Sequence, residues 1–81
     1  MQRFILAFRD GDDEHTEIEE CDGFADALRR ASDTLTLLAR GRPDVHVALG
    51  ECVVGAGVRW LGAVYLSDAR KPIWAPDGGV N

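Results

Sequence analysis

Apolar residues recur along this chain with two different periods. Between Arg3 and Arg9 they fill every position, with Phe4, Leu6 and Phe8 on one side and Ile5 and Ala7 on the other. Apolar residues on both sides predict a strand inside a sheet rather than at its rim. His15 to Glu20 also alternates, but Ile18 is its one apolar residue. If a strand forms there, it is a short, solvated edge. From Gly23 to Arg40 the period changes: Phe24, Leu28, Ala31, Leu35 and Leu38 step by four, three, four and three. That is one stripe of a helix with 3.6 residues per turn. Asp22 is the candidate N-cap, and Gly41 with Pro43 ends the run. Asp26 near the start and Arg40 at the end suit the helix dipole.

After the reversal at Gly41-Arg42-Pro43-Asp44, the period of two returns. Val45 to Val54 predicts a strand, and Gly55-Ala56-Gly57 a turn. In the next strand, Val58 to Ser67, strict alternation assigns Val58, Trp60, Gly62, Val64 and Leu66 to one face. It assigns Arg59, Leu61, Ala63, Tyr65 and Ser67 to the other. Ser67-Asp68-Ala69-Arg70 is a second turn, and Lys71 to Ala75 a short strand that Pro72 marks as an edge. The expected fold is α+β: a two-layer sandwich with one helix packed on a mainly antiparallel sheet of four to five strands, in the order β-(β)-α-β-β-β. Residues 1–76 form one domain and 77–81 a flexible C-terminal tail.

Composition narrows the function. At 81 residues the chain has room for one core. A net charge of −5 disfavours direct nucleic-acid binding and anionic membranes, both of which call for Lys and Arg. Cys21 and Cys52 are too few for a disulfide scaffold and read as reduced thiols, a single bridge between them being the alternative. With no signal-peptide pattern at Met1-Gln2-Arg3, the expected location is cytoplasmic.

The charge is unevenly spread. Residues 1–26 hold nine acids against Arg3 and Arg9, a net of −7, while the remaining 55 sum to +2. Asp10, Asp12, Asp13, Glu14, Glu17, Glu19, Glu20 and Asp22 are therefore the candidate partner-binding residues, able to steer a basic partner. The plainer reading is an edge kept acidic against aggregation. Arg59, Leu61 and Tyr65, assigned to one face of their strand, form a secondary candidate surface, because aromatic and Arg residues anchor partners. Trp60 and Trp74 are assigned to the core or its margin.

Other chemistry fails on spacing. Asp10, Asp12 and Glu14 open like a calcium loop, but His15 and Cys21 stand where Gly and Glu are required. His46 and Cys52 would lie about 20 Å apart in a strand, too far to share zinc. A GxGxxG reading of Gly55 and Gly57 meets Trp60 and a strand instead of a helix. Neither Ser32 nor Ser67 has a base at a workable spacing. No enzyme, metal or cofactor is expected.

Val58 to Trp74 combines an aromatic strand, a turn with Asp68 and Arg70-Lys71, and a returning strand with a Trp. In this hairpin and in its order of elements the chain resembles the small phage-encoded anti-CRISPR proteins. The resemblance covers about a fifth of the chain and implies no particular binding residue. It implies an inhibitor in the cytoplasm of a bacterial host cell, blocking a basic, nucleic-acid-binding subunit of an immune complex by charge mimicry. The alternative is a small accessory or assembly domain, monomer or dimer, that self-associates through its sheet.

Overall fold

A computed structural model of the chain describes residues 1–10, 12–40 and 45–76. The turn at Gly11, the reversal at 41–44 and the tail at 77–81 lie outside the described residues. The elements run β1 (Gln2–Asp10), β2 (Asp13–Cys21), α1 (Phe24–Leu38), β3 (His46–Val53), β4 (Gly57–Leu66) and β5 (Pro72–Pro76). The strands form one antiparallel sheet in the order β2-β1-β3-β4-β5, and α1 packs on one side of it. This is the α+β arrangement that the two periods predict.

β1, apolar on both faces, sits between β2 and β3. Phe4 and Leu6 pair with Glu51 and Leu49 of β3 and point toward the helix. There they meet Val47, Val64 and Cys21 from the sheet and Ala27, Ala31 and Leu35 from α1. These side chains are essentially inaccessible to water. Their burial drives the two layers together, each large apolar side chain contributing about 1.5–3 kcal/mol.

The helix differs from its sequence reading at both ends but presents the expected stripe to the sheet. It starts at Phe24 with Gly23 as N-cap, and no side chain caps it. Asp22 does not take the N-cap role; its backbone N–H donates to the Asp26 carboxylate at 3.2 Å. The buried stripe is Ala27, Ala31, Leu35 and Ala39, with Leu28 and Leu38 at its margins. Phe24 lies on this same stripe but is the first residue of the helix, at its open end. Phe24 is 41% exposed, its ring edge-on to Trp74 at 5.2 Å. The last turn carries no base, because Arg40 lies past the helix end. Arg70, from the β4–β5 turn, brings its guanidinium to the Ala39 carbonyl at 3.4 Å.

A β-bulge in the β3–β4 ladder overturns the strict alternation read from β4. Leu49 pairs with Gly62 and Gly50 with Trp60, so Leu61 has no partner on β3. Leu61 packs against the core beside Gly62. Trp60 consequently lies opposite the helix-covered side, 44% exposed, rather than in the core. Tyr65, 42% exposed, shares that outer side with Trp60 instead of opposing it.

The two outer strands differ. The Ser67 N–H donates to the Lys71 carbonyl at 2.9 Å, which fixes the alternation of paired and outward backbone groups along β5. Pro72 and Pro76 then occupy outward positions, where their missing N–H groups cost no ladder bond and offer nothing to a further strand. β2 has no proline. Its nine residues leave an outer backbone edge that no described strand covers.

Candidate functional site

β2 is a full strand, longer than the 15–20 segment its alternation outlines, and it is the solvated edge expected there. Its pairing with β1 determines where each acid points. Glu17 and Glu19 oppose Leu6 and Phe4 and so lie on the helix side, as does Asp13 two pleats along. Glu14, Thr16, Ile18 and Glu20 oppose Arg9, Ala7, Ile5 and Arg3 and lie on the other. The carboxylates are therefore divided over two faces of one strand. Three of them are also held internally: Glu14 by Arg9 at 2.8 Å, Glu19 by Arg30 at 3.6 Å and Glu20 by Arg3 at 4.0 Å. The Arg9–Glu14 and Arg3–Glu20 pairs are solvent-exposed and add little stability, whereas Glu19 and Arg30 are both half-buried.

Among the described residues, no cation stands within pairing distance of Asp12, Asp13, Glu17 or Asp22. The side chain of Asp10 lies outside the description. Asp26 belongs to the helix start rather than to the edge: Arg29 hydrogen-bonds its carboxylate and Arg30 approaches to 3.6 Å. The Arg29 hydrogen bond first, and the Asp22 N–H second, hold the Asp26 carboxyl below the ordinary carboxylate range. Arg29 is raised in turn by the same hydrogen bond.

The secondary surface is not assembled. Arg59 turns to the helix side of the sheet, where its guanidinium meets Glu51 at 2.9 Å. Leu61 is drawn into the core by the bulge, and only Tyr65 stays on the outer side. What the sheet presents there instead is an uncovered apolar face. One row across four strands reads Ile18, Ile5, Gly50 and Trp60. A second reads Thr16, Ala7, Ala48, Ala63 and Ala75, and a third runs from Glu14 and Arg9 through His46 to Tyr65 and Ile73. No described helix covers these rows, and Ile18 is 64% exposed. The signal for this face was Ile5 and Ala7 on the second side of β1 together with the lone Ile18. Which strands they would meet depends on register.

The remaining chemistry is dispersed. Cys21 is buried under the helix, whereas Cys52, paired with Val58, lies on the outer side; both thiols are free. Burial pushes the Cys21 thiol up, with Arg30 opposing. His15 stacks on Phe8 at 5.6 Å, with Cys21 six residues further along the same extended strand. Among the described residues no three His, Cys, Asp or Glu side chains converge on a metal position. A shallow cleft of about 580 Å³ runs past Gln2, Arg3, Glu51 and Cys52. Its carboxylate, Glu51, is already held by Arg59 and approached by Gln2 at 3.5 Å. No described helix is long and apolar enough to cross a membrane. No family model, curated protein or solved structure matches the chain.

Proposed function

We propose that this chain is a small, non-enzymatic protein-binding domain whose binding element is the acidic edge strand β2. The observation that carries this reading is that Asp13 and Glu17 on one side of β2, and Asp12 in the turn before it, have no cationic partner among the described residues, beside a backbone edge that no described strand covers. A partner offering an extended Lys/Arg-rich segment gains main-chain hydrogen bonds from the edge and charge pairing from the side chains. Surfaces of that kind are built for nucleic-acid phosphates, so occupancy by β2 blocks nucleic acid, the inhibitory action that the anti-CRISPR resemblance implies. Glu14, Glu19 and Glu20 contribute to the field but not to direct contacts, because their own arginines hold them.

Capture of a protein from bacterial lysate by the immobilised chain tests this reading. A basic protein should be retained at low salt, released at high salt and displaced by a short DNA duplex. Replacing Asp12→Asn, Asp13→Asn and Glu17→Gln together should weaken capture at least roughly tenfold while leaving the melting temperature unchanged. Retention that ignores salt, DNA and the triple substitution overturns the proposal.

A further inference from the structure

The uncovered face of the sheet has a relief as well as an apolar character. Ala7, Ala48, Ala63 and Ala75 lie side by side across β1, β3, β4 and β5 and make a low floor. On one side of that floor rises the row that ends in Trp60; on the other rises the row with Tyr65 and Ile73. A ridge of large side chains beside a trough of small ones is a shape that accepts a rotated copy of itself. We propose that two copies of this chain pack these faces together as a two-fold dimer, the Trp60 row of each entering the alanine trough of the other.

Three observations commit the face to a second copy. The first is size. Five strands at about 4.8 Å spacing, and about eight residues long, project roughly 600 Å² before side-chain relief is counted. A stable interface takes about 800 Å² of accessible surface from each partner, and the whole corrugated face supplies an area of that order. The second is charge. Chains of net charge −5 repel, yet this face is neutral, with Arg3 opposite Glu20 and Arg9 opposite Glu14. The β2 carboxylates with no cationic partner among the described residues, Asp13 and Glu17, point to the other side. The third is the state of the edges. Prolines close β5, and carboxylates on β2 would face carboxylates if two copies joined there, so like chains are barred edge to edge and free to meet face to face.

Sedimentation of the full chain from low micromolar to several hundred micromolar concentration, at low and at molar salt, tests the proposal. A dimer that persists or tightens in salt is expected, because apolar burial holds it. Ala63→Arg, which fills the trough, and Ile18→Glu, which adds charge at an exposed position, should each weaken it by at least roughly thirtyfold. In the wild-type protein, dilution to monomer should open one of the two tryptophans to acrylamide quenching, a readout that needs no variant. A chain that stays monomeric at every concentration overturns the proposal. So does a dimer that salt dissolves, or one that survives both substitutions with its tryptophans unchanged.

Discussion

Trp60 lies directly against the backbone of Gly50: a Cβ at Gly50 would stand 2.9 Å from the indole Cε3, 2.7 Å from Val58 Cγ1 and 3.0 Å from Ile5 Cγ2. The outer face is thus packed down to the level of the main chain, and glycine is what lets the indole settle there.

Gly50→Ala is therefore expected to destabilise the fold by about 1–3 kcal/mol, since the new methyl must push aside a ring and two branched side chains. Gly62→Ala should cost more. A Cβ at Gly62 would collide with the Ala75 carbonyl, a backbone atom that cannot swing away, and its φ of +156° is one that L side chains rarely adopt. Urea unfolding checks the order of the two. Hydrogen exchange should show the β5 amides of Ile73 and Ala75 opening in Gly62→Ala before those of β1.

Acid should act through Asp26. Its carboxyl is depressed in the folded chain, so the stability it contributes is present above the ordinary carboxylate value and is lost as pH falls through the lower folded one. Denaturant unfolding of the wild type and Asp26→Asn between about pH 6 and pH 2 should show a wild-type advantage. That advantage should hold steady down to about pH 4 and shrink below it. Parallel stability profiles would exclude a role for this carboxylate in acid unfolding.

Alkali should act through Cys21. Burial raises its thiol in the folded state, so the associated stability is intact below the ordinary thiol value and declines as pH rises above about 8.5. Cys21→Ala should flatten that alkaline decline while lowering stability at neutral pH through the space it leaves. Alkylation gives an independent check: Cys52, half-buried on the outer face, should react with iodoacetamide in the folded protein, and Cys21 only at the rate of unfolding.

Elements with one apolar side were legible from residues alone. α1 follows from its spacing and β2 as an edge from its carboxylates; the helix stripe faces the sheet as its period indicates, with Ala31 and Leu35 buried and Leu28 and Leu38 packed on the core. Ala27 and Ala39, which the large-residue spacing passes over, are buried as well. The faces of β4 were not legible. Apolar side chains occur there on both parities, so an alternating pattern gives no sign that Leu61 is unpaired. The fate of the carboxylates was hidden for a related reason. Arg9 meets Glu14, and Arg3 meets Glu20, only once the β1–β2 register is set. Arg70 is 31 residues from the helix end it closes, beyond the range of any local signal.

Because Leu61 has no opposite number on β3, it is the one position in β4 where chain length and sidedness are uncoupled. Deleting it would shorten the strand and remove a core side chain, yet leave Trp60 across from Gly50. A one-residue gain or loss in the paired stretch from Gly50 to Val53 would exchange inner and outer side chains as far as the hairpin turn. Within the paired stretches of this hairpin the ladder register can absorb a length change at Leu61 alone, whereas the exposed tip at Val54 and Ala56 can vary in length without exchanging the faces.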